Sequence, residues 1–164
     1  MIIVRHATAP DVGEQGIRRD EDRPLSPPGR KESREAALAL RRIGCRPNLI
    51  AASPLVRAQQ TARILTETFT GHTVATCEPM RPNTLPGRLL VWLGGRQEAC
   101  ILLVGHQPHA ANALSQMLVG STDLDMKLGK AGACCIHFDG PARKGRAQLM
   151  WLLQRSQLRC LAHT

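Results

Sequence analysis

Tyrosine is absent from this 164-residue chain, and its only aromatic rings besides histidine are two tryptophans and two phenylalanines. Its core must therefore be aliphatic, built from Leu, Ile, Val and Ala with Met as filler. The same scarcity removes the stacking platform on which single-stranded nucleic acid is usually held, so nucleic acid is not predicted as a partner. Long apolar runs are missing too. None approaches the ~18 residues of a membrane span. The apolar start has no basic segment before it, so no signal peptide is predicted. These absences predict a cytoplasmic protein with no membrane partner. Six cysteines stand at positions 45, 77, 100, 134, 135 and 160, with no C-x-x-C pair to suggest a zinc ribbon or a thioredoxin site. Cys100, Cys134 and Cys135 lie in apolar runs and are expected to be buried, reduced thiols. The histidines are dispersed, and no H-E-x-x-H spacing offers a metal site. Asp123-Leu124-Asp125 is too small a fragment of a calcium loop to hold one.

What is present is a positive charge and an alternation of apolar runs. The net charge is +9, carried mostly by Arg, whose planar fork holds phosphate in two-point contact. Such a balance suits a phosphorylated substrate, nucleic acid or an acidic partner, without choosing among them. With 43% hydrophobic residues the chain can fill one core, and one domain over residues 1–164 is expected.

Met1 to Val4 is apolar without alternation, with Ile2, Ile3 and Val4 β-branched, the pattern of a strand buried on both faces. It runs straight into Arg5-His6. A polar stretch from Thr8 to Asp22 follows, long enough to be functional. Ser26 with Pro27 gives an N-cap and a first-turn proline for a helix to about Ile43. Leu49 to Ala52 reads as a second strand. Ser53-Pro54 repeats the helix-start signal, for a helix to about Phe69. Thr73 to Cys77 is a third strand candidate, Glu78 to Pro86 a loop, and Gly87 to Leu93 a short helix. Cys100 to Val104 is a strong strand ending at Gly105-His106, with a helix from about His109 to Val119. Ala133 to Asp139 and Ala147 to Leu153 read as two further strands, joined as a hairpin at the edge. The tail from Gln154 carries no clear signal. Alternating strands and helices predict an α/β fold with a mostly parallel sheet and helices on both faces.

In such a sheet the carboxyl ends of the strands share one edge, where ligands bind. Arg5 and His6, Ser53 with Arg57 one turn into its helix, and His106 would all meet there. The helix after Ser53-Pro54 would add its N-terminal amides. Two arginines, two histidines and those amides suit one dianion, a phosphoryl group. His72, His109, His137 and His163 are assigned structural places, and the Arg18-Arg19 and Arg41-Arg42 pairs solvated faces.

Three segments carry a family likeness: Val4-Arg5-His6-Ala7, Ser53-Pro54-Leu55-Val56-Arg57-Ala58-Gln59-Gln60-Thr61-Ala62, and Val104-Gly105-His106-Gln107-Pro108. In this order and spacing they resemble the histidine phosphatase superfamily, which contains the phosphoglycerate mutases. The small size and Arg23-Pro24-Leu25-Ser26-Pro27-Pro28-Gly29 look most like its SixA-type phosphohistidine phosphatases. One departure is Ala7, where the superfamily usually has Gly.

The resemblance implies a three-layer α/β/α sandwich of the phosphoglycerate mutase type. It also implies a metal-independent, cofactor-free phosphatase. His6 would attack phosphorus and form a covalent phosphohistidine. Arg5, Arg57 and His106 would bind the phosphoryl oxygens, with Ser53 also at the substrate. The other nitrogen of His6 is expected to donate to a backbone carbonyl, fixing the tautomer. Glu78 is the candidate general acid, with Asp11, Glu14 and Glu21 as rivals. A phosphohistidine substrate needs no strong acid, because its imidazole leaves as a neutral ring. The short chain predicts an open site and a phosphohistidine-bearing protein as partner. A small-molecule phosphomonoesterase and a non-catalytic phosphate-binding module are the alternative readings.

Overall fold

The computed structural model describes residues 1–164. Its strands are β1 (Ile2–Arg5), β2 (Leu49–Ala52), β3 (Val74–Thr76), β4 (Ile101–Gly105), β5 (Ala133–Phe138) and β6 (Ala147–Leu153). They form one sheet in the order β3-β2-β4-β1-β5-β6. The pairs β3–β2, β2–β4 and β4–β1 are parallel, and β5 runs antiparallel to both of its neighbours. The fold is the expected α/β class, with the hairpin at one edge.

The apolar runs without alternation are explained by cover on both faces. Ile2, Val4, Ile50, Ala52, Leu102 and Val104 pack on one side with α1 (Pro27–Arg42), α2 (Val56–Thr68) and α5 (Arg155–His163). Ile3, Ala51, Leu103, Cys134 and Ile136 pack on the other with α3 (Gly87–Gly94) and α4 (His109–Val119). Successive residues of each central strand thus serve opposite layers, as the period of two requires. No helix is long and apolar enough to cross a membrane. All six cysteines are free thiols. Cys134 is buried as expected, whereas Cys100 and Cys135 are half-buried at the rim of the core.

Helix α1 starts as the sequence reading has it. Ser26 Oγ accepts from Gly29 N at 3.1 Å, and the helix stops before Gly44, which takes a positive φ of 87°. Helix α2 does not. It begins at Val56, its N-cap is Leu55 with no side-chain cap, and Arg57 is its second residue rather than one turn in. Ser53 is diverted because its hydroxyl has another partner, described below. The tail, which gave no signal in the sequence, is α5, started by a capping box between Gln154 and Gln157. The stretch from Thr8 to Asp22 carries two short 3-10 turns, Glu14–Gly16 and Asp20–Asp22.

Gly29 marks the closest approach between α1 and the chain leaving β1. A Cβ there would lie 2.0 Å from the backbone oxygen of Thr8. Backbone on both sides leaves nothing flexible to yield. Gly29→Ala is therefore expected to destabilise the fold by about 2–3 kcal/mol. Urea unfolding checks this, as a lowered midpoint with an unchanged slope.

Candidate active site

Register places the two histidines of the site. Arg5 on β1 is level with Gly105 on β4, so His6 and His106 leave adjacent strands at the same height. His6 N donates to Gly105 O at 2.9 Å and Ser53 N to Val104 O at 2.9 Å, which holds three strand ends in line. The rings of His6 and His106 have centroids 4.9 Å apart and are tilted by 53° to one another. Both are buried, at 6% and 2% exposure.

The hydrogen bonds around His6 fix its proton. Nδ1 lies 2.8 Å from Ala7 O, and a carbonyl can only accept, so Nδ1 carries the hydrogen. Arg57 Nε then donates to the bare Nε2 at 3.1 Å. Burial, with Arg57, Arg5 and Arg23 nearby, lowers the ring's pKa to about 3 against the favourable carbonyl contact. His6 is a neutral imidazole whose lone pair points at the guanidinium of Arg57.

His106 is oriented by Ser53, which is fully buried, with its Oγ 2.8 Å from Nε2. Leu55 N donates to the same Oγ at 3.4 Å, leaving the hydroxyl proton free for Nε2. When the hydroxyl donates to Nε2 the ring hydrogen sits on Nδ1, a buried atom with no partner in the protein. Burial, with the charges around it, lowers the pKa of His106 to about 2. Ser53 thus serves the pocket through His106, having neither capped α2 nor been left free.

Arg5 Nη1 donates to Leu128 O at 3.1 Å, while its Nε is buried without a partner. Arg57 is 4% exposed, and burial lowers the pKa of both guanidiniums without discharging them. Two neutral imidazoles and two guanidiniums, with Arg5 Nε and His106 Nδ1 left without partners, form a basic pocket able to receive an anion.

Glu78 is not brought into this cluster. It opens the Glu78–Met80 turn, is exposed, and pairs with Arg81 at 3.2 Å. Among its rivals, Asp11 pairs with Arg23 at 2.6 Å, Glu14 accepts from Asp11 N at 3.0 Å, and Glu21 pairs with Arg19. The carboxylate that does reach the pocket is Asp20, which the sequence reading passed over. Arg57 donates to it twice, Nη1 to its backbone oxygen at 2.6 Å and Nη2 to Oδ2 at 2.9 Å. Arg23 Nη1 holds the other carboxylate oxygen at 2.9 Å. The signal lay in the spacing Asp20-x-x-Arg23 inside a charge run that has no period. Outside the pocket, Asp20 lines a cavity of about 320 Å³ with Arg19, Glu21, Leu55, Arg81, Pro82 and Asn83.

The segment around Arg57 ties these parts together. Thr61 Oγ1 donates to Arg57 O at 2.8 Å and accepts from Ala7 N at 3.3 Å. Gln60 accepts from Leu25 N at 2.7 Å. Ala7 is fully buried among Leu25, Ile64 and Ala131, so its methyl fills a small apolar pocket instead of entering the site. Buried Glu32 accepts from Thr8 N and Thr8 Oγ1, each at 3.0 Å, and from Arg155. His109, assigned a structural place, is buried and donates to Pro79 O at 2.7 Å.

Both the sequence and the fold have known relatives. The family model of the histidine phosphatase superfamily (branch 1) matches residues 1–81. An uncharacterized protein of Picosynechococcus sp. is 33% identical over 131 residues, covering 78% of each chain. Among solved structures, the protein histidine phosphatase SixA complexed with tungstate superposes with a TM-score of 0.81 at 20% identity, covering 96% of this chain and 97% of that one. The putative phosphohistidine phosphatase SixA from Agrobacterium tumefaciens gives 0.74 at 25% identity, covering 93% and 95%.

The buried neutral rings have a consequence for stability. In the unfolded chain each histidine takes up a proton near pH 6.5, while the folded rings remain neutral until about pH 3 and about pH 2. The unfolded state therefore binds more protons throughout that window, and acid favours it. Stability is expected to fall as pH drops below about 6.5, approaching roughly 1.4 kcal/mol per pH unit for each ring. Urea unfolding at pH 7.5 and pH 5.5 checks this. Equal stabilities would show that the rings protonate in the fold.

Proposed function

Since the chain belongs to the histidine phosphatase superfamily, is SixA-like and is a phosphatase by class, we propose that it works through a phosphohistidine on His6 and acts on phosphohistidine in proteins. One histidine phosphatase domain over residues 1–164 is part of this reading. The observation that carries it is the pairing of a bare Nε2 on His6 with a hydrogen on Nδ1. A nucleophilic imidazole needs that tautomer, and here the backbone enforces it.

In the proposed reaction the phosphoryl group enters over His6, and Arg57 turns from the lone pair to an oxygen. His6 Nε2 forms the new bond to phosphorus as the bond to the leaving group breaks. Arg5, Arg57 and His106 Nδ1–H hold the oxygens, where charge must be stabilised. The partnerless nitrogens of Arg5 and His106 supply donors for that task. Ser53 acts at one remove, by fixing the tautomer of His106. Water then attacks the phosphohistidine and releases phosphate. A SixA of similar fold has been seen with tungstate, a tetrahedral oxyanion of the kind this pocket would take.

Phosphohistidine as substrate is supported by the site's lack of an obvious acid. Glu78 is exposed and committed to Arg81, so nothing from that loop offers a proton to an alkoxide. The imidazole of a phosphohistidine departs without one. The charged cavity beside Asp20 is open to a ring carried on a protein surface.

Rapid quench after mixing with a radiolabelled phosphohistidine donor should leave acid-labile, alkali-stable label on the protein. His6→Ala should abolish that label and lower turnover by at least ~10³-fold, while His109→Ala keeps the label. Absence of label, with no phosphate released from phosphohistidine or ester donors, would make the pocket a binding module. Glu78→Gln is expected to keep phosphohistidine turnover within about threefold of the parent, as suits a group outside the proton path. A loss as complete as that of His6→Ala would return Glu78 to the mechanism.

A further inference from the structure

We propose that Asp20 is a specificity-determining residue that reads the leaving group: its carboxylate accepts the N–H of a departing imidazole and so favours P–N over P–O bonds. The inference rests on the reading of His6 as nucleophile and extends it to the far side of the phosphoryl group.

Position comes first. Arg57 spans the interval between the attacking nitrogen and Asp20, with Nε on His6 Nε2 at 3.1 Å and Nη2 on Asp20 Oδ2 at 2.9 Å. The carboxylate thus stands one guanidinium away from the nucleophile. On its outer side it lines the charged cavity, and its side chain is 52% exposed. His6, by contrast, is 6% exposed. A group attacked in line by His6 must leave away from that buried ring, and Asp20 is the carboxylate on Arg57 that reaches solvent. In an imidazole bound through one nitrogen to a phosphorus over His6, the second nitrogen falls at a similar remove.

Chemistry comes second. A carboxylate at the leaving side can either give a proton or accept a hydrogen bond. Asp20 is held between two guanidiniums, Arg57 on one oxygen and Arg23 on the other. Burial works to raise its pKa, and the bonds from Arg23 and Arg57 outweigh it, so the net shift is downward. An ionised carboxylate accepts only. It cannot protonate an alkoxide, whose departure it would oppose by charge. It can accept from the N–H of an imidazolium and stabilise that cation.

The proposed step balances as follows. The substrate ring binds protonated at its distal nitrogen, with that N–H donating to Asp20. His6 Nε2 forms its bond to phosphorus, the P–N bond breaks, and the electron pair returns to the substrate nitrogen. The ring leaves as neutral imidazole and keeps the distal proton. The positive charge moves to His6, now phosphorylated at Nε2 and hydrogen-bonded through Nδ1 to Ala7 O.

The test compares Asp20→Asn with the parent on two substrates, a phosphohistidine peptide and p-nitrophenyl phosphate, whose nitrophenolate leaves without an acid. The expected loss of kcat/KM on the peptide is at least tenfold larger than the loss on the ester. A carboxylate that stabilises the ring cation raises that ring's pKa, so activity on the peptide should persist to higher pH in the parent. In Asp20→Asn the high-pH decline should begin earlier, and Asp20→Glu should restore part of the difference. Equal losses on both substrates, with an unmoved pH profile, would make Asp20 a mere support for Arg57 and overturn the proposal. So would a parent protein that turns over the ester but not the peptide, which leaves the His6 mechanism standing. Failure of His6 to take label from either donor would overturn both.

Discussion

Arg57 Nε–H points at His6 Nε2 from 3.1 Å, and this contact requires a lone pair on the ring nitrogen. Everything around it follows from that demand. The ring's hydrogen must sit on Nδ1, and Ala7 O is there to receive it. The ring must stay neutral, which burial beside three arginines enforces. Arg57 must be held at the right height, and Thr61 does so by bonding its carbonyl while also holding Ala7 N. One guanidinium buried among cations would be costly alone. Asp20 offsets it, at both its carbonyl and its carboxylate. These groups thus form a closed circuit, in which His6 Nε2, Arg57 and Asp20 are already hydrogen-bonded in series.

The sheet and most of its helices were legible in the sequence because they rest on local signals. Runs such as Ile2 to Val4 and Ile101 to Val104 can only be strands covered on both faces, and Ser26-Pro27 is a strong helix start. Arg5, His6 and His106 were legible for a related reason. A polar pair at the end of an apolar run is conspicuous, and parallel register carries such ends to one edge. Ser53-Pro54 misled because an N-cap signal describes only what a hydroxyl could do locally. His106, 53 residues away in sequence, provided a competing partner at 2.8 Å. Asp20 was hidden for the opposite reason. In a run of mixed charges no residue stands out, and only the folded loop shows which carboxylate meets Arg57. The helix α5 was missed because its apolar contribution is small, chiefly Leu158 and Ala162, and its start depends on a glutamine pair.

The Ala7 departure illustrates how a position can change without disturbing chemistry. The methyl is buried in a small apolar cluster with Leu25, Ile64 and Ala131. The atoms that matter at this residue are its carbonyl, which takes the proton of His6, and its N–H, which goes to Thr61. Both belong to the backbone and would be present with either side chain.

β1 lies between β4 and β5, so neither of its sheet neighbours is made until more than half of the chain has been synthesised. The loop that follows it is braced by Glu32, which in turn is held by Arg155 from the last helix. Of the strands in this sheet, β1 is therefore the one that waits longest for its neighbours. Until β4 is made, the apolar strand that carries His6 at its end has no partner in the sheet. His6 is held between Gly105 O and Arg57 Nε, so its oriented form waits on β4 and α2. Chemistry at this site is thereby tied to elements distant in the chain, and a nascent fragment that ends before β4 would lack a finished pocket.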